Sequence, residues 1–177
     1  MFNSFVHRAC VFTAALVGLA ACASAAPPRA VGQDAPQAPL ALADGGDFRI
    51  AGASGDVVVL AFFTTYCPSS PATLRALDRI RTSNADGGLR VVAVDEGDTS
   101  AQVEVWTGRH GVRLPIAFDK DHAAANELGL VTVPSIVVID RQGTVRHVHA
   151  GYHGDDDRSS IEGEVAALLH TQIASRD

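Results

Sequence analysis

Seven consecutive apolar residues, Val57-Val58-Val59-Leu60-Ala61-Phe62-Phe63, constrain this chain more than any other stretch. A β-rich run with no polar position has no face to give to water, so it reads as a central strand covered on both sides. Beyond Thr64-Thr65-Tyr66-Cys67-Pro68-Ser69-Ser70, Leu74, Leu77 and Ile80 recur at helical spacing and predict a helix from about Pro68 to Arg81. Pro68 and Pro71 suit its first turn, where a missing N–H costs little. Asn84 to Gly88 stops it, and Leu89–Val94 is a second buried strand. A strand–helix–strand crossover of this kind leaves its two strands parallel.

That arrangement puts Cys67 at a strand-to-helix junction. The first N–H groups of a helix have no partner inside it, and the dipole there favours negative charge. A thiol in that place ionises more easily, and the thiolate is the reactive form. The spacing is that of a Cys-x-x-Cys redox pair in which the second position is Ser70.

The remaining elements follow in order. Asp44-Gly45-Gly46-Asp47 is a turn, and Phe48-Arg49-Ile50 reads as a short edge strand. Asp98-Thr99-Ser100 caps a helix from about Ala101 to Arg109, with Val103 and Trp106 on its inner side. Leu114–Phe118 is a short strand, and a short helix from Asp119 or Asp121 runs through Glu127 to a stop at Gly129. Ser135–Asp140 is another strand. Arg141-Gln142-Gly143 turns it into a hairpin partner, Thr144–His149. A last helix follows Asp155-Asp156-Asp157, with Ile161, Val165, Leu168 and Leu169 as its apolar stripe. The fold class is therefore α/β, a central mixed sheet with helices on both faces.

The N-terminus reads as an address and not as structure. Ala9–Leu19 is apolar, too short to span a bilayer comfortably, and follows His7 and Arg8. Leu19-Ala20-Ala21-Cys22 resembles the bacterial lipoprotein box, which implies that Cys22 becomes the lipidated first residue. The other reading is an ordinary signal cut near Ala26. Each buried methylene of an acyl chain adds about 0.8 kcal/mol of anchoring. Ala23 in place of aspartate favours sorting to the outer membrane. The chain divides into a lipoprotein signal peptide (1–21), a lipidated cysteine and flexible tether (22–33) and one domain (34–177). Of the three cysteines, Cys10 leaves with the signal and Cys22 takes the lipid. Cys67 is then the lone thiol, with no internal disulfide available.

Charge excludes some partners. The whole chain carries −6, and loss of Arg8 with the signal leaves the mature part at −7, with Lys120 its only lysine. Neither nucleic acid nor an anionic lipid surface attracts such a chain, so the lipid is its one membrane link. The domain is expected to be a periplasm-facing monomer, without cofactor, whose partners are thiols and disulfides of exported proteins or small molecules.

From about Val31 to Ile173 the chain resembles the TlpA/ResA branch of membrane-tethered thioredoxin-like proteins. Three stretches carry the likeness: Val31-Gly32-Gln33-Asp34-Ala35-Pro36, Gly55–Pro68 around the cysteine, and Gly129–Gly143 around Val133-Pro134. The resemblance implies a thioredoxin-like fold and a cis Val133–Pro134 bond facing Cys67. It makes Cys67, Ser70 and Pro134 the catalytic positions and Tyr66, Pro68 and Val133 the substrate-binding ones, with the Val133 backbone as a short edge for an incoming peptide. Departures are equally specific. Tyr66 stands for the usual tryptophan, Ser70 for the resolving cysteine, Ala61 for an acid of thioredoxins, and Thr73 for a glutamate of some relatives. The loop itself therefore holds no evident proton shuttle.

Three functions remain open on these residues. The first is a monothiol thiol–disulfide oxidoreductase that attacks through Cys67 and relies on an external thiol for release. The second is a one-cysteine peroxidase: Thr64 lies three before Cys67 as in peroxiredoxins, although Leu60 and Pro134 occupy the family's proline and arginine positions. The third is a redox-inactive binding module. His147 and His149 share one strand face and, with His153 and Asp155, form a weak candidate site for copper or zinc. A solvated edge strand explains them more simply.

Overall fold

The computed structural model describes residues 30–50 and 55–171. The elements in chain order are β1 (Leu40–Leu42), β2 (Asp47–Phe48), β3 (Val57–Phe63), α1 (Ser70–Ser83), β4 (Leu89–Asp95), α2 (Ser100–His110), β5 (Ile116–Phe118), α3 (Ala123–Glu127), β6 (Ser135–Ile139), β7 (Val145–Ala150) and α4 (Asp155–His170). One seven-stranded sheet has the order β2-β1-β5-β4-β3-β6-β7. The β3–β4 and β4–β5 pairs are parallel, and β6, β7, β1 and β2 run antiparallel to their neighbours. The mixed α/β architecture is the one the sequence predicted.

Every residue of β3 is buried, which is why none of them is polar. Alternate side chains feed two separate cores. Val57, Val59, Ala61 and Phe63 pack with Leu74, Leu77 and Ile80 of α1, Val103 of α2, and Ile161 and Val165 of α4. Val58, Leu60 and Phe62 pack on the other face, against Ala124 and Leu128 around α3 and against Ala30 and Ala35. Three long helices thus cover one face, and a single short one covers the other.

The N-terminal covering corrects the expected tether boundary. Ala30 is buried. The Gly32 N–H donates to Val145 O at 2.8 Å, and Val145 N–H donates to Gln33 O at 2.9 Å. Residues 30–33 therefore belong to the folded domain, held by the hairpin that begins β7. The signal, Cys10, Cys22 and the rest of the tether lie outside the described residues. Leu40–Leu42 is a strand the sequence reading passed over, since three residues are too few to show alternation. Helix α2 is capped by Thr99, whose hydroxyl accepts from Gln102 N–H while the Gln102 side chain returns to the Thr99 N–H.

Candidate functional site

The parallel register that pairs Phe63 with Asp95 sets the C-terminal ends of β3 and β4 side by side. The chain leaves β3 through Thr64 and Thr65, turns at Cys67 and enters α1. Thr65 is held by Asp98, whose carboxylate accepts from the Thr65 N–H at 2.7 Å and from its hydroxyl at 2.8 Å. Asp98 thus clamps the cysteine loop, and within the Asp98-Thr99-Ser100 run expected to cap α2 the capping side chain is that of Thr99. Asp95, buried at the end of β4, fixes that clamp in turn: its carboxylate accepts from the N–H groups of Gly97 and Asp98 at 3.1 and 2.8 Å.

Cys67 is half-buried and is the free thiol among the described residues. The Ser69 hydroxyl lies 3.3 Å from Sγ, and Sγ lies 3.5 Å from Val133 O. The Val133–Pro134 bond is cis, so the expected juxtaposition of Cys67 with the proline segment is present. Burial pushes the Cys67 thiol up, but hydrogen bonds from the Ser69 hydroxyl and from the Ser69 and Ser70 N–H groups outweigh it, and its pKa falls below the ordinary value.

Of the two serines that open α1, Ser69 and not Ser70 has its hydroxyl within hydrogen-bond distance of the sulfur. Ser69 occupies the N-cap of α1 but makes no capping bond with its side chain, and its hydroxyl turns to sulfur instead. Ser70 is fully buried and donates its single hydroxyl proton to Thr64 O at 3.0 Å. In that rotamer it braces the loop, and it reaches a thiolate only by turning. Ser69 was invisible to a reading organised on the Cys-x-x-Ser frame.

A cavity of about 270 Å³ adjoins the cysteine on the α3 side of the sheet. Tyr66 and Val131, both strongly exposed, stand at its rim, with Thr64, Glu96, His122 and Val133 among its lining residues. Its acid was missed because the search for a proton carrier stopped at the cysteine loop. The available signal was the Asp95-Glu96-Gly97-Asp98 run at the C-terminal end of a buried strand, where α/β sheets place their ligands. Pro68, next to Cys67 in the chain, is exposed, and Pro134 is buried.

The histidine trio is not brought together as a ligand set. His147 and His149 both turn to Glu164 of α4, at 3.4 and 2.8 Å, while His153 pairs with Asp157 at 3.1 Å. The Glu164 carboxylate takes both strand histidines, and no metal-competent group of three such side chains exists among the described residues. Trp106 stacks on Phe63 at 5.5 Å between ring centres and is a core residue, as its helical position implied.

Comparisons with known proteins agree with this architecture. The thiol-disulfide oxidoreductase ResA of Geobacillus thermodenitrificans is 27% identical over 128 residues, which cover 72% of this chain and 74% of that protein. The thioredoxin-like protein YneN of Bacillus subtilis is 27% identical over 123 residues, covering 68% and 71%. A putative thiol:disulfide interchange protein DsbE from Chlorobium tepidum superposes with a TM-score of 0.73 at 23% identity, over 78% of this chain and 97% of that one. The chain thus has a thioredoxin-like fold. The AhpC/TSA family profile matches residues 31–148, from the N-terminal turn through β7, and the chain belongs to that family.

Proposed function

We propose that this protein is a thiol–disulfide oxidoreductase that works through Cys67 alone. The observation that carries this reading is the free thiol at the start of α1, the one cysteine among the described residues, hydrogen-bonded by Ser69 and set beside the Val133 carbonyl. The likeness to ResA supports it. The Cys67 thiolate attacks one sulfur of a substrate disulfide. A Cys67–substrate disulfide forms, the original S–S bond breaks, and the other half leaves as a thiolate. An external thiol then gives its proton to that leaving thiolate and attacks the substrate sulfur of the mixed disulfide. Cys67 returns as thiolate, and the substrate departs joined to the external thiol. No net electrons are gained or lost.

Alkylation of Cys67 against pH tests this directly. The midpoint is expected below the ordinary value of about 8.5, and higher in Ser69→Ala, which loses the nearest donor to sulfur. Glutathione disulfide is expected to give one adduct per chain, absent in Cys67→Ser and released by reduced thiol. An unshifted midpoint together with no adduct overturns the reading. Cys67-dependent catalytic consumption of peroxide replaces it by the peroxidase. The cavity offers little for that chemistry, since no arginine or lysine lines it.

Lipidation at Cys22, proposed from the Leu19-Ala20-Ala21-Cys22 box, holds this chemistry at the envelope membrane. The protein is expected to fractionate with membranes and to lose that property in Cys22→Ser. A Cys22→Ser variant still in the membrane fraction refutes the anchor.

A further inference from the structure

Two residues that line the cavity beside Cys67 each carry a buried polar atom without a hydrogen-bond partner. Glu96 is 9% exposed, and its Oε1 has no hydrogen-bond partner. Its other oxygen, Oε2, meets His122 Nδ1 at 2.7 Å. Thr64 Oγ1, from the last residue before the cysteine loop, is likewise buried and unpartnered. Both residues line the cavity together with Val133, whose carbonyl oxygen lies 3.5 Å from Cys67 Sγ. Leaving a buried carboxylate oxygen unpaired costs about 1–3 kcal/mol or more, so the arrangement calls for a donor from outside.

The surrounding charge says which donor. Glu96 and His122 form one pair, and Asp119 and Asp121 add negative charge close to the imidazole. Asp119 accepts from the Ala124 and Ala125 N–H groups, and its carboxylate lies close enough to Glu96 to repel its charge. Lys120 is the lone opposing lysine, and its side chain is exposed. His122 takes a left-handed backbone conformation, φ 52°, which is uncommon outside glycine although histidine is among the side chains that tolerate it best. Such conformations persist where the surroundings impose them, often at ligand sites. Here the strained residue is the one that holds Glu96 in place. A cavity of about 270 Å³ accepts a side chain or a small thiol rather than a large ligand.

We propose that Glu96 Oε1 and Thr64 Oγ1 form a subsite for a cationic nitrogen, an ammonium or guanidinium group, carried next to the disulfide that Cys67 attacks. A charged donor to a carboxylate is the strongest partner this oxygen can take. The inference rests on the oxidoreductase reading and names its substrate class: disulfides flanked by a positive charge, whether in a small aminothiol or in a basic peptide.

The test measures mixed-disulfide formation on Cys67 with cystamine (cationic), 2-hydroxyethyl disulfide (neutral) and 3,3′-dithiodipropionate (anionic), in the parent and in Glu96→Gln. The readout is the cystamine-to-neutral ratio of rate constants, which removes general effects on the thiol. That ratio is expected to fall about tenfold in Glu96→Gln, the loss of one charge-assisted bond. Thr64→Val, which keeps the side-chain shape, is expected to lower the ratio by a smaller factor. An unchanged ratio in Glu96→Gln, with or without slower rates overall, overturns the subsite and leaves the oxidoreductase reading standing. Replacing the small disulfides by cystine-bridged peptides with and without a flanking lysine separates the two sources of the cation. If Cys67 reacts with none of them, the oxidoreductase reading fails, and the subsite is judged separately. In Cys67→Ser, n-propylammonium is expected to shift the NMR resonances of Glu96, Thr64 and His122 saturably, and propionate is not. Equal responses to both ions overturn it.

Discussion

In Ser70→Cys the mixed disulfide on Cys67 is expected to vanish almost as fast as it forms. Parent protein treated with a small disulfide should hold close to one adduct per chain until external thiol is added. The variant should hold less than about a tenth of that and contain an internal disulfide instead. The reason is proximity. Ser70 N–H donates to Cys67 O at 3.1 Å across a tight turn, so a thiol there competes intramolecularly with any thiol in solution. The substitution itself is mild. It exchanges a buried hydroxyl for a thiol of similar shape and weakens the bond to Thr64 O, at a cost of about 1 kcal/mol. Mass spectrometry after acid quenching reads both species. Persistence of the adduct at the parent level would mean that the 70 side chain stays turned to Thr64 and never reaches sulfur. Ser70 would then be a brace, and its identity would not decide how long the mixed disulfide persists.

The same loop shows what a sequence can and cannot disclose. The strand, helix and strand around Cys67 were legible because burial dictates composition: β3 is apolar at every position since both its faces are covered. The proline segment was legible by likeness, and so was its proximity to Cys67. The contacts that tune the thiol were not. Ser69 and Ser70 are adjacent hydroxyls, and only the rotation of the first turn of α1 decides which of them meets Sγ. Glu96 and His122 are 26 residues apart and meet because β4 ends beside the loop that starts α3. Local periodicity holds no record of such a meeting. The error at residues 30–33 has the same origin. Ala, Gly and Gln look like tether by composition, and only the hairpin opposite supplies their hydrogen bonds and burial.

Asp95 illustrates the energetic cost of holding that loop. Burial pushes its carboxyl up to about 6. The Gly97 and Asp98 N–H groups oppose the change, and the Asp98 carboxylate beside it adds to it. The folded state therefore keeps a proton that the unfolded chain, with an aspartate near 3.9, gives up. Stability from this group is fully present below about pH 4, is lost as pH rises through 6, and stays lost above. Two pH units correspond to about 3 kcal/mol. Asp95→Asn removes the titration while its carbonyl still accepts from the Gly97 and Asp98 N–H groups, and its amide can donate to Asp98. The variant is expected to match the parent near pH 4 and to exceed it by about 1–2 kcal/mol at pH 8, somewhat less than the full linkage because Asn fits the site imperfectly. Urea unfolding of both proteins from pH 4 to pH 8 measures this, and the difference between the two curves cancels Glu96, which burial also raises and which titrates with the same sign. Parallel curves would show that Asp95 is ionised without penalty in the folded protein. A stabilised variant with slower exchange at Cys67 would instead show that the buried charge is retained to keep Asp98 clamped on Thr65, at the expense of stability.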